Sequence, residues 1–187
     1  MDAIEAVLTR QSCAKLREPA PTGSQRETIF RAALTAPDHA RLHPWRFLVI
    51  EGDGRQQLGQ LMLDAALKSN ATLDRVKREK LLNAPLRAPL VIVSIASVIE
   101  HPKVPAIEQV LSVGASVSQM LVAIHALGYA AIWRTGDAAF NRDLMQSLGL
   151  TSSEQIVGFL YVGTADAPPK TSQQLSVQDY YSTWPSL

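Results

Sequence analysis

The sequence predicts a mixed α and β domain with about four strands and five or six helices, and three features predict it. Two continuous apolar runs, Leu90–Ser97 and residues 155–162, have the length and composition of strands covered on both faces. Between them, Val110, Val113, Val117, Met120, Leu121, Ile124 and Leu127 recur at the i, i+3, i+4, i+7 spacing of an amphipathic helix. Proline and glycine clusters punctuate the chain between these segments.

From the N-terminus, Asp2 and Glu5 have capping-box spacing, with Ile4, Val7 and Leu8 as an apolar stripe, so a short helix runs to about Thr9. The polar stretch 10–23 breaks that pattern with Pro19, Pro21 and Gly23. A second helix starts near Thr22 or Ser24, carries Ile29, Phe30, Ala33 and Leu34, and is stopped by Pro37. The segment 37–44 holds two histidines between prolines and reads as a loop. It leads to a strand over residues 45–50 and a turn at residues 51–54. Residues 55–82 read as helical with a break near Ser69 and Asn70, closed by Pro85 and Pro89. After the strand Leu90–Ser97 come the long helix over 105–127, with Gly128 as its C-terminal cap, and a strand over 129–134. A helix over 138–148 and the strand over 155–162 complete the set. The tail, about 164–187, is polar but ends with Tyr180, Tyr181 and Trp184, so it reads as an arm packed on another surface, that of a partner subunit.

The 187 residues suit a single domain spanning 1–187, with 47% hydrophobic and 19% charged residues. Eighteen basic and 17 acidic residues leave a formal charge of +1. That balance argues against binding to nucleic acid or an anionic membrane surface. Cys13 is the only cysteine, which excludes an intramolecular disulfide and a cysteine-rich zinc site. The opening residues lack the apolar core of a signal peptide, and no uninterrupted apolar run reaches membrane-spanning length, so the expectation is a cytoplasmic protein.

Phosphate loops, dinucleotide fingerprints, nucleophile elbows and zinc-protease motifs are absent from the sequence. His39 and His43 are four apart, but their loop setting and the lack of a third ligand argue against a metal. Arg10-Gln11-Ser12-Cys13-Ala14-Lys15 places cations and a hydroxyl just beyond a short helix, a pattern able to hold a phosphate, with a solvated turn as the plain alternative. Trp133-Arg134-Thr135-Gly136 closes a strand with an aromatic, a cation and a turn, a common setting for ligands. Without a catalytic acid, base or nucleophile in view, the pattern is compatible with an enzyme whose chemistry belongs to a cofactor.

The order of these segments resembles the nitroreductase family along nearly the whole chain. Arg10-Gln11-Ser12 looks like the family's R-R-S start, and residues 36–47 look like its A-P-S-x-x-N-x-Q-P-W-x-F segment. Gly128 to Trp133 resembles its G-x-G-x-x-W stretch, and residues 156–163 resemble its late strand ending in glycine. The stretches 18–23, 36–39, 103–105 and 133–136 are similar to the short bacterial YdjA-like branch.

The resemblance implies an α+β fold with a central, mainly antiparallel sheet flanked by helices, built as an intertwined homodimer with FMN at the subunit interface. It implies that Arg10, Gln11 and Ser12 bind the flavin's phosphate and ribityl chain. Thr35 and His39 would reach the flavin from the other subunit, and Trp133, Arg134 and Thr135 would form a second flavin-binding stretch. Residues 123–128 match a segment assigned to the nicotinamide nucleotide. The implied activity is ping-pong transfer of hydride from NAD(P)H by way of the flavin to nitroaromatic, quinone or similar electrophilic acceptors, with Arg10 and Arg134 as the cations near the ring. Dehydrogenation, reductive removal of a substituent, or a non-catalytic flavin-binding module are the alternatives. Departures from the pattern are Ala14 and Ser172 at positions that are cationic in larger members, Arg41 in place of Asn, and His43 in place of Gln.

Overall fold

The computed structural model describes residues 1–167 and 175–185. The elements run α1 (Ala3–Thr9), β1 (Leu16–Arg17), α2 (Gly23–Ala33), β2 (Trp45–Glu51), α3 (Gly54–Ser69), α4 (Arg75–Asn83), β3 (Leu90–Ser97), α5 (Ala106–Ala126), β4 (Ala130–Arg134), α6 (Arg142–Ser147) and β5 (Glu154–Ala165), with short 3-10 turns between. Every pairing between these strands is antiparallel. The sheet runs β2, β3, β5, with β4 and the two-residue β1 also paired to β5.

Alternation along β3 builds a core on each face of the sheet. Val91, Val93 and Ile95 point to one side, where they join Leu58, Met62 and Ala65 of α3, Leu144 and Met145 of α6, and Phe159 and Tyr161 of β5. Leu90 and Ile92 point to the other, where they meet Ile29 and Ala33 of α2 and Val117, Met120 and Ile124 of α5. All eight residues of β3 were expected to be covered, and seven are buried. Each large aliphatic side chain taken fully out of water in this way contributes roughly 1.5–3 kcal/mol. α3 and α4 approach closely at Gly59, where a Cβ would overlap the Leu82 carbonyl oxygen.

The helix caps follow the sequence in part. Asp2 accepts a hydrogen bond from the Glu5 amide at 2.9 Å, and Asp74 accepts one from the Lys77 amide at 2.8 Å. Thr22 stands at the N-cap of α2 but contributes its backbone carbonyl and not its hydroxyl. The helix expected over 138–148 is divided. Asn141 is extended, ends a 3-10 turn over Asp137–Phe140, and caps α6 by accepting from the Leu144 amide at 3.1 Å. The sheet has five strands where about four were expected, because the polar stretch after α1 supplies β1, pairing Leu16 with Ala165 and Arg17 with Thr164.

By length and composition α5, with 21 residues and a mean hydropathy of 1.4 in its most apolar window, could cross a membrane. Its buried face packs on the sheet and α2, with Gln109, Ser112 and Ser116 buried alongside the aliphatic residues. The stripe on α1 is turned the other way, since Ile4 is 70% exposed and Leu8 76%, while only Ala6 is buried. Ile107 and Leu111 of α5 are exposed as well.

Candidate functional site

Two of the three segments singled out in the sequence meet at the outer edge of β4. Ser12 forms an isolated parallel bridge with Ala131, and the Cys13 amide donates to the Ala131 carbonyl at 3.0 Å. Arg10, Gln11 and Ser12 therefore lie beside the strand that carries Trp133 and Arg134 and leads to Thr135. α1 is fixed to the end of α5 through Thr9. The Thr9 hydroxyl donates its one proton to the Glu5 carbonyl at 2.6 Å, so the His125 Nε2 at 2.8 Å from it must be the donor.

This corner presents cations and hydroxyls outward. Ser12, Lys15, Arg134 and Thr135 are exposed and Arg10 is half-buried. Neither Arg10 nor Lys15 makes a side-chain ion pair or hydrogen bond among the described residues, whereas Arg17 is matched by Asp166 at 3.4 Å. Lys15, one position beyond Ala14, supplies a cation near the place where larger members carry theirs. The match for the family's C-terminal cationic pair, Lys170 and Ser172, lies outside the described residues.

Trp133 is held by glycines. Its Nε1 donates to the Val157 carbonyl at 3.3 Å. A Cβ on Gly158 would overlap that nitrogen and come within 2.5 Å of Cδ1, while a Cβ on Gly114 of α5 would lie 3.7 Å from Cη2. The Nε1 edge of the indole thus rests against β5 at Gly158 with its far edge at α5, and 37% of the residue stays exposed. Next along, Arg134 acts on Tyr161: burial pushes that phenol's pKa up, and the Arg87 and Arg134 charges partly offset the rise. The Arg87 guanidinium carbon stands 5.5 Å from the centre of the Tyr161 ring.

The third segment, carrying Thr35 and His39, is attached to α5 and not to α1 or β4. Thr35 Oγ1 lies 2.8 Å from Gln119 Oε1 and 2.9 Å from the Ala32 carbonyl, with one proton to give. His39 Nδ1 is 2.7 Å from Glu108 Oε2. The loop that follows is strained: Ala40, Arg41 and His43 have φ of 64°, 55° and 49°. Left-handed backbone without glycine costs roughly 1–2 kcal/mol per residue. Asp38 braces the loop by accepting from the His43 amide at 2.7 Å. The two histidines diverge, since the His43 ring packs near Trp45, with centroids 5.8 Å apart.

At the start of β5, Glu154 is the strand's electrostatic anchor. Its carboxylate accepts two bonds from Arg46, at 2.7 and 2.9 Å, one from Ser97 Oγ at 3.0 Å and one from the Thr151 amide at 2.9 Å. Arg46 above all holds its pKa down at about 2. Sequence reading missed Glu108, Gln119, Gly158 and Glu154. Gly158 alone carried a signal, a glycine inside an apolar strand, which marks close approach of a neighbour.

The model of the Nitroreductase family matches residues 7–164. The Escherichia coli K12 protein named "Putative NAD(P)H nitroreductase YdjA" is 41% identical over 172 residues, covering 92% of this chain and 93% of that one. The crystal structure of a nitroreductase-like family protein from Bacillus cereus superposes with a TM-score of 0.82 at 23% identity, over 100% of this chain and 97% of that one. That of a nitroreductase with bound FMN from Bacteroides fragilis superposes with a TM-score of 0.73 at 17% identity, over 98% and 99%. The chain belongs to the nitroreductase family of oxidoreductases.

Proposed function

We propose that the protein is an FMN-dependent oxidoreductase that takes hydride from NAD(P)H and passes it in ping-pong order to nitroaromatic, quinone or similar electron-poor acceptors. The observation that carries this reading is the convergence of Arg10, Ser12 and Lys15 with Trp133, Arg134 and Thr135 at one edge of β4, in a chain of this family. Cations without a partner among the described residues, beside a hydroxyl, suit a phosphate, and the indole fixed against Gly158 offers an aromatic wall to a planar ring. Bound FMN supplies the hydride chemistry; the residues bind, orient and tune. Arg10, Gln11 and Ser12 grip the phosphate and ribityl chain. Arg10 and Arg134 put positive charge where negative charge develops during reduction. No side chain is assigned as a chemical acid or nucleophile.

The same reading makes the working unit a homodimer in a cytoplasmic setting. Ile4, Val7 and Leu8 of α1 with Ile107 and Leu111 of α5 leave apolar surface bare on the single chain, the mark of an association site. In the tail, Tyr180, Tyr181 and Trp184 are exposed, Trp184 at 92%. Those aromatics serve as an arm on the second subunit, and Thr35 and His39 reach the flavin across that interface.

The test is direct. The purified protein, loaded with FMN if necessary, is followed in the visible region without oxygen as NADH or NADPH is added, then a nitroaromatic or quinone. Bleaching and recovery with stoichiometric product establish the cycle. Failure to take up FMN removes the cofactor and the site assignment together; uptake without bleaching leaves a flavin-binding module.

A further inference from the structure

We propose that Glu108 and Gln119 are positioning residues: one face of α5 grips both ends of the Thr35–His39 segment and fixes which ring nitrogen His39 presents. The effect on flavin rests on the function proposed above; the grip itself does not.

The helix geometry selects the pair. Eleven residues separate Glu108 from Gln119, and at about 100° per residue they return to within about 20° of the same face. That face meets the segment twice, through Gln119 at Thr35 and through Glu108 at His39. Glu108 is itself well placed. It sits in the first turn of α5, where a negative charge is favoured, its amide donates to the Pro105 carbonyl at 3.1 Å, and its own carbonyl accepts from Ser112 Oγ at 3.1 Å.

The loop requires such a grip. Ala40, Arg41 and His43 are held in left-handed backbone that their side chains disfavour, and a loop of this kind keeps its form only while outside contacts hold it. The brace from Asp38 is local, so it cannot locate the loop relative to the helices. The contacts to α5 can.

Glu108 also settles the chemistry of the ring. An ionised carboxylate only accepts, so His39 Nδ1 must carry the hydrogen between them. Nε2, which makes no hydrogen bond among the described residues, is then the atom left for a ligand. In the neutral ring it accepts; in the charged ring it donates.

Amide exchange in the flavin-free protein tests the grip, and FMN affinity tests its purpose. In Glu108→Ala the amides of residues 39–43 should exchange about two- to fivefold faster, the scale of a half-exposed ion pair, and FMN should bind weaker by a similar factor. Glu108→Gln, whose amide oxygen still accepts from Nδ1, should stay within about twofold of the parent on both counts. Gln119→Ala should loosen Thr35 and Ala36 more than residues 39–43. Exchange in Glu108→Ala equal to the parent overturns the grip. Faster exchange with unchanged FMN affinity overturns the positioning role. A parent protein that takes up no FMN, with Glu108→Ala still exchanging faster, overturns the proposed function and the positioning role while the grip stands.

Discussion

Replacing Gly158 by Ala should disturb the candidate site while leaving the fold intact. The new methyl group would occupy the place of Trp133 Nε1, stand 2.5 Å from Cδ1, and crowd the Arg134 carbonyl at 3.1 Å. The indole is rigid and cannot yield at its tip alone, so it must turn about χ1 and abandon its 3.3 Å bond to the Val157 carbonyl. Its partial exposure gives it room to do so. The stability cost therefore falls at the low end of the roughly 1–3 kcal/mol range for overpacking, and Tm should drop by about 2–4 °C. The larger effect should be on the cofactor, because Trp133 and Arg134 both shift. FMN affinity, measured by quenching of flavin fluorescence, should weaken about tenfold, equivalent to roughly 1.4 kcal/mol. Near-ultraviolet circular dichroism should report the moved indole. If Gly158→Ala keeps the parent's dichroism and binds FMN equally well, the seating of Trp133 against Gly158 is not what shapes this wall.

Three other predictions follow from named contacts. Glu154 has its pKa lowered from 4.5 to about 2, which is worth roughly 3 kcal/mol at most. Because the Arg46 side chain is 37% exposed, screening trims this to about 2 kcal/mol. Since the folded-state pKa lies below the unfolded one, this contribution is complete above about pH 5 and is lost as pH falls toward 2. Urea midpoints at pH 7, 4 and 3 should fall more steeply for the parent than for Glu154→Gln, and equal slopes would refute the assignment. Arg10→Ala removes a cation that has no partner among the described residues and should raise the FMN dissociation constant about ten- to a hundredfold, the value of one charge-assisted bond; unchanged occupancy and turnover would reassign the phosphate grip. Gly59→Ala must push α4 away from α3 at Leu82 and should cost about 1–3 kcal/mol in thermal or urea unfolding without changing flavin affinity.

Much of this architecture was legible in the sequence because it depends on local pattern. The periodicity from Val110 to Leu127 located α5, and the apolar run Leu90–Ser97 coincides with β3. The parts that were not legible depend on partners distant along the chain. β1 is two residues in a polar stretch and becomes a strand only because Ala165 and Thr164 lie opposite. Asn141 broke the last helix by offering its side chain to the Leu144 amide, a competition that the apolar pattern of 138–148 does not register. In the site, Arg10 to Ser12 and Trp133 to Thr135 were visible as motifs, but their adjacency comes from the bridge between Ser12 and Ala131. Glu108 was invisible because nothing in its helix distinguishes it from a solvated surface acid until His39, 69 residues away, is brought against it.

The position of β2 carries a consequence for handling the protein. Among the described residues it pairs with β3 on one side only, and its other edge is a row of free amides and carbonyls above a groove of about 540 Å³ lined by Leu48, Ile50, Leu58 and Leu61. An open edge with apolar neighbours recruits any extended chain that reaches it. A freshly folded protomer is therefore in a race between orderly coverage of that edge and capture by unrelated strands. The soluble yield should depend on expression rate and temperature more steeply than core stability alone would suggest. The apparent melting temperature should rise with protein concentration if a second copy wins that race.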